Sequence, residues 1–210
     1  MLKREFSEKL SHANTPYLLA CLAEEVIEDA LDKKDGAVLD AFVEQISQLL
    51  DAGLDPNVKV EETSCIYCLQ YGDTDRHLDV AKMIFERCGL PSVTDDEGLT
   101  FFDYIRSKLD YNYYDCEYIV KLYLLCCAYT QEETYIRFSE NLCAEMFDPS
   151  RYYTSASDDN TPISLSAKIF KDIHRFDFCV EMLPQEKGYY GCWRLHIFDK
   201  ESKIEIATYY

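Results

Sequence analysis

The sequence predicts an α+β protein in which a stack of helical hairpins is followed by a small antiparallel sheet. Apolar residues recur at helical spacing through most of the segment 1–147. A glycine turn, AGLDP at 52–56, returns as CGLPS at 88–92, and a period of that size is typical of stacked repeat units. From residue 175 onward apolar and polar residues alternate, which favours strands. We therefore expect helical repeats at 1–147, a linker or loop at 148–162 and a three-stranded antiparallel sheet at 163–210.

The first two hairpins follow from local patterns. We expect a short capping helix at 3–12, then a helix opened by Asn14 as N-cap with Pro16 in its first turn and continuing to about Leu31. Apolar residues at 38–50 indicate a second helix, which Gly53 ends in a left-handed turn. Residues 58–60 are expected to be extended. Thr63 or Ser64 then caps a helix that stops at Gly72, and a further helix runs from about 75 to 88.

The rest of the chain begins with a turn at 95–98 and a helix at 101–109. The segment 117–128 is apolar nearly all round, so it predicts a helix buried on two sides. We expect residues 132–147 to be helical and the polar stretch 148–162 to be a loop. Three alternating runs then predict an antiparallel meander, with strands at 175–182, 189–198 and 203–209.

Two kinds of short motif recur in the hairpin region. The motif expected to begin a hairpin occurs as NTPYLLA at 14–20, TSCIYCL at 63–69 and GLTFFDY at 98–104. The motif expected to end a hairpin occurs as LLDAGLDPN at 49–57 and IFERCGLP at 84–91. These residues resemble the ankyrin repeat over about 13–129. The copies are degenerate, because the histidine of the start motif is missing in all three and its proline is present only in the first. The resemblance implies a stack of hairpins that binds another protein without catalysis, and it ends before the C-terminal region.

Composition and charge narrow the class of protein. With 210 residues, 48% of them hydrophobic, the chain can bury a substantial core. The ten cysteines are scattered and we expect no signal peptide in the segment 1–26, so we expect a cytoplasmic protein with reduced thiols. No stretch approaches the ~20 apolar residues of a membrane helix. The segment 163–210 contains seven basic and seven acidic residues, so the segment 1–162 carries the whole net charge of −18.

This charge predicts a basic protein as partner and disfavours nucleic acid and anionic membranes. The candidate contact residues on the first long helix are acidic: Glu24, Glu25, Glu28 and Asp29. The alternative is a solvated helix face that only keeps the protein in solution. Tyrosine is abundant, with 17 residues, and we expect Tyr111, Tyr113 and Tyr114 to lie in a loop that contacts a partner or to pack in the ordinary way.

Catalytic motifs are sparse. Cys65 and Cys68 form a C-x-x-C pair, for which buried core positions are favoured over a metal or redox site. The four histidines are scattered, and we predict no metal site, no cofactor and no enzyme. The favoured function is a non-catalytic protein–protein interaction module, and a sharper hypothesis is an acidic inhibitor or immunity-type protein for a basic partner. The alternatives are a purely structural module or a small enzyme with a site around His174, Cys192 and His196.

Overall fold

The computed structural model describes residues 3–109, 116–130, 135–138, 144–147, 164–182, 193–200 and 204–208. The described residues form helices and antiparallel strands, so the protein is α+β. The chain divides into two compact units, Met1–Ile105 and Arg106–Tyr210. This boundary lies earlier than residue 147, where the sequence places the end of the helical region.

The first unit is built from short helices joined by tight turns. Its α-helices are α1 (Lys3–His12), α2 (Pro16–Leu31), α3 (Gly36–Asp51), α4 (Asp75–Cys88) and the start of α5 (Phe101–Leu109), which crosses the boundary. A 3-10 helix, Cys65–Tyr71, stands where the sequence predicts an α-helix. The strands β1 (Lys59–Val60) and β2 (Thr63–Ser64) pair as a small hairpin, which confirms extended backbone at this point.

Polar side chains begin these helices. The N-cap of α2 is Thr15 and not Asn14 as expected: its hydroxyl accepts a hydrogen bond from the backbone N–H of Leu18 at 3.2 Å. The Oδ1 atom of Asp35 accepts bonds from Ala37 and Val38 at the start of α3. Ser64 caps the 3-10 helix. Each cap satisfies backbone donors that have no partner within the helix.

Glycine closes the two hairpins as the sequence predicts. Gly53 follows α3 with φ +96° and Gly89 follows α4 with φ +76°, backbone conformations that other residues rarely adopt. The core between the helices is apolar and almost fully buried, and it includes Ile27, Phe42, Ile46, Leu49, Ile66, Leu69, Leu78, Ile84, Phe85 and Phe101. Cys65 is completely buried, as its expected core position requires, whereas Cys68 is only half-buried.

The second unit contains α6 (Cys116–Ala128), which packs against a second 3-10 helix, Ala167–Arg175, and the strand that follows it. Its residues 122–128 are all buried, in agreement with their apolar sequence. The helix expected at 132–147 is wrong. The structure places strands β3 (Tyr135–Phe138) and β4 (Ala144–Phe147) there, and β3 also pairs with β5 (Ser164–Ser166). Aromatic and β-branched residues in YIRF suit a paired strand better than an isolated helix.

The C-terminal meander is confirmed. Strands β6 (Phe176–Met182), β7 (Trp193–Asp199) and β8 (Ile204–Thr208) form an antiparallel sheet in that order. A bidentate ion pair between Arg175 and Asp199 joins the start of β6 to the end of β7, with Nε to Oδ1 at 3.0 Å. The predicted loop at 148–162 lies outside the described residues. Among the helices that the structure describes, none has the length and apolar character needed to span a membrane.

Candidate functional site

The four acidic residues predicted as contact residues lie on one face of α2 and span about 140° of its circumference. Glu24 and Glu28 are one helical turn apart and form one side of that face, while Glu25 and Asp29 follow each of them by about 100° and form the other. Glu25 and Glu28 are three residues apart, so the two sides adjoin. The two sides meet different parts of the first unit.

The side with Glu25 and Asp29 faces α1. Lys9 of α1 makes an ion pair with Glu25 and another with Glu5 at 3.2 Å. The hydrogen bond to Glu25 raises the pKa of Lys9. Because Glu25 already has a cation from the same chain, a partner would have to compete for it.

The side with Glu24 and Glu28 faces the first 3-10 helix. A carboxylate oxygen of each glutamate and the Sγ atom of Cys68 all lie within 4.8 Å of one another. Burial raises the pKa of Glu24, and the negative charges of Glu28 and Glu61 raise it further. Among the residues that the structure describes, none of these three glutamates is in an ion pair. This surface is therefore a like-charge cluster without an internal cation.

The C-x-x-C thiols lie beside this cluster. Burial raises the pKa of Cys65 to about 12, and burial followed by the charges of Glu24 and Glu28 raises the pKa of Cys68 to about 12. Neither thiol is therefore an activated nucleophile at neutral pH. Glu24, Glu28 and Cys68 could together offer three donor atoms to a cation. This set has two carboxylates and a single sulfur, unlike the cysteine- and histidine-rich sets of structural zinc sites.

The aromatic side chain of Tyr17 flanks the same surface. Tyr17 is 50% exposed and lies on the stripe of α2 that carries Cys21, Glu24 and Glu28, at successive spacings of four, three and four residues. A hydrogen bond with Cys21, and then the nearby charges of Glu61 and Glu24, raise the pKa of Tyr17. Tyr17 was not predicted as a contact residue, although this spacing is visible in the sequence. Glu61 and Cys68 could not be assigned in that way, because only packing brings them to α2.

The remaining candidates are dispersed. Tyr111, Tyr113 and Tyr114 lie outside the described residues, as does Cys192 of the alternative enzyme site. His174 is half-buried in the second 3-10 helix, and His196 lies in β7 opposite Cys179. His12 is exposed on α1.

His77 is fully buried in α4, beside the ring of Phe42. Its Nδ1 atom lies 2.8 Å from the hydroxyl of Thr74 and 3.4 Å from the backbone N–H of Asp73, which donates to it. Burial lowers the pKa of His77, against the opposing effect of a hydrogen bond with the Ala30 backbone. The native state therefore favours the neutral ring, which leaves Nδ1 able to accept the Asp73 bond.

This environment predicts an acid-sensitive first unit. Below pH ~6.5 the unfolded chain binds a proton at His77, whereas the lowered pKa keeps the ring neutral in the native state. The free energy of unfolding should therefore fall, as the pH is lowered, by up to about 1.4 kcal/mol per pH unit. Urea unfolding between pH 7.0 and 5.5, followed by far-UV circular dichroism, measures this slope. The His77→Gln variant should flatten this slope. An equal slope in native protein and His77→Gln would contradict the assignment.

We also compared the chain with known proteins. Models of protein families, curated protein sequences and solved structures all gave no match.

Proposed function

We propose that the protein is a non-catalytic protein-binding module, that its hairpins form an ankyrin-like stack, and that its partner is a basic protein. The observation that carries the proposal is the cluster of Glu24, Glu28 and Glu61, which has no cation among the described residues. Like charges held together destabilise the free protein, and a cationic side chain from a partner would relieve that repulsion.

The stack is supported by side-chain contacts that recur at the period of the sequence repeat. In a stacked repeat, each unit touches its neighbour at equivalent positions, so contacts join residues about one repeat length apart. Five hydrogen-bonded pairs in the first unit have separations of 34 to 36 residues: Asp51 with Arg87, Leu54 with Cys88, Asn57 with Ser92 and with Val93, and Gln70 with Tyr104.

Asn57 links the two glycine turns directly. It stands at the end of the first glycine turn, at the asparagine position of the repeat motif. Its Oδ1 atom accepts hydrogen bonds from the backbone N–H groups of Ser92 and Val93, at 2.9 and 3.2 Å. Both donors lie just after the second glycine turn, so this single side chain ties one turn to the next.

The distribution of charge supports the choice of partner. The net charge of −18 arises wholly within the segment 1–162, which includes the acidic face of α2. Such a surface repels the phosphates of nucleic acid and attracts basic proteins at an increased rate. An inhibitor or immunity-type protein that neutralises a basic partner is the sharpest form of this proposal.

Affinity capture with a matched pair of variants tests it. Glu24→Gln/Glu28→Gln removes two charges from the cluster, while Asp96→Asn/Glu97→Gln removes two from an exposed turn. We expect a basic protein to be captured at low salt by native protein and by the turn variant. Once that protein is purified, its Kd should be at least about tenfold weaker for the cluster variant, a loss of roughly 1.4 kcal/mol. Binding that is equal in all three proteins, or insensitive to salt, would refute the proposal.

A further inference from the structure

We propose that acid moves the carboxylate of Asp73 from Lys34 to His77, and so releases the loop between α2 and α3 from the loop that precedes α4. Lys34 belongs to the first of these loops and Asp73 to the second. The exchange makes the junction of the two loops sensitive to pH. It goes beyond the proposed function, since it needs neither a partner nor the acidic surface of α2.

The carboxylate of Asp73 lies between two basic side chains. Its Oδ2 atom forms an ion pair with Nζ of Lys34, and its Oδ1 atom lies 3.9 Å from Nδ1 of His77. The two basic side chains have opposite surroundings, because that of Lys34 is 68% exposed and that of His77 is completely buried. The Asp73 side chain is partly exposed, at the boundary between them. This position allows Asp73 to pair with either side chain.

Hydrogen bonds to the neutral ring of His77 depend on an acceptor at Nδ1. This atom accepts a bond from the backbone N–H of Asp73 at 3.4 Å and lies 2.8 Å from the hydroxyl of Thr74. A proton on Nδ1 turns the acceptor into a donor. The Thr74 hydroxyl can rotate to accept from it, but the backbone N–H of Asp73 cannot, because two donors then face each other. Protonation of the ring therefore requires the backbone at Asp73 to move.

The other neighbours of the ring offer it no carboxylate as close as that of Asp73. α3 presents the ring of Phe42, and α2 meets the imidazole through a backbone group. The 3-10 helix Cys65–Tyr71 contains no Asp or Glu. Asp40 of α3 is largely exposed and is already paired with Arg76 at 2.7 Å. Asp73 is the acidic residue that the structure places against Nδ1.

Burial decides which of the two pairs is favoured once the ring is charged. It lowers the pKa of His77, the bond to the Ala30 backbone opposes this, and the charge of Lys34 lowers the pKa further. A buried imidazolium needs an opposite charge, because it has lost its water. An exposed ammonium remains hydrated without a partner, and exposed ion pairs contribute little. The carboxylate therefore turns to His77, and Lys34 is left to the solvent.

A double-mutant cycle tests the exchange. An NMR titration of the full chain, from neutral pH to the pH at which it unfolds, follows the ring of His77, identified by its absence in His77→Gln. We expect the amide signal of Asp73 to move with the same midpoint. Asp73→Asn should lower the pKa of His77 by about one pH unit, and Lys34→Gln should raise it. In the Asp73→Asn background, Lys34→Gln should lose most of that effect, because no carboxylate is left to release.

Lys33→Gln is the matched control, since it removes the neighbouring exposed lysine of the same loop. It should shift the pKa of His77 less than Lys34→Gln does. An equal shift from Lys34→Gln with and without the Asp73 carboxylate would show that Lys34 acts through its charge alone, and would overturn the exchange. An equal shift for the two lysines, or a ring that stays neutral until the protein unfolds, would overturn it as well.

Discussion

Replacing Phe101 by alanine should lower the free energy of unfolding of the first unit by about 4 kcal/mol, because it removes a fully buried ring from the core. Phe101 opens α5, and its ring centroid lies 5.5 Å from that of Tyr67 and 6.3 Å from that of Phe85. Phe101 therefore joins α5 to the first 3-10 helix, through Tyr67, and to α4, through Phe85. These two neighbours are large rings that cannot easily close the cavity.

Urea unfolding followed by far-UV circular dichroism measures this loss. With a urea dependence of about 2 kcal/mol per M, the midpoint should move down by about 2 M. Phe102→Ala is the matched control, since Phe102 is the next residue of α5 but only half-buried. A loss for Phe101→Ala no larger than for Phe102→Ala would show that the ring does not anchor α5 in this core.

The second large effect is expected at the ion pair between Arg175 and Asp199. Asp199 is 5% exposed, and Arg175 contacts both of its carboxylate oxygens. Arg175→Met would remove this cation from a buried carboxylate, which should destabilise the second unit by about 3 kcal/mol. The half-exposed arginine keeps the loss below that of a completely buried pair.

The single tryptophan of the chain, Trp193, lies in β7 and gives a fluorescence signal for unfolding of this unit. Arg175→Met/Asp199→Asn should recover part of the lost stability, because it also removes the buried negative charge. Lys200→Met disrupts an exposed pair with Asp177 and should cost no more than about 1 kcal/mol. If the double variant were less stable than Arg175→Met, the buried negative charge of Asp199 would not be the cause of the loss.

Much of the secondary structure could be predicted because it depends on nearby residues. The spacing of Phe42, Ile46 and Leu49 predicts the buried face of α3, and Gly53 and Gly89 end their helices for a local conformational reason. The alternation in the last third of the chain predicts β6, β7 and β8 in the same way. The segment at 132–147 was predicted wrongly, since strands this short are defined by the strands with which they pair.

The candidate site was predictable only in part. The sequence alone determined that α2 is amphipathic and carries Glu24, Glu25, Glu28 and Asp29, and that the net charge lies in the segment 1–162. Only the tertiary structure decided which of these carboxylates pair with a cation of the described residues. Lys9 reaches Glu25 from α1, while the 3-10 helix brings Cys68 to Glu24 and Glu28 from a distant part of the chain. Local periodicity places a side chain on a face of its own helix, but the charges that meet that face depend on how other segments pack.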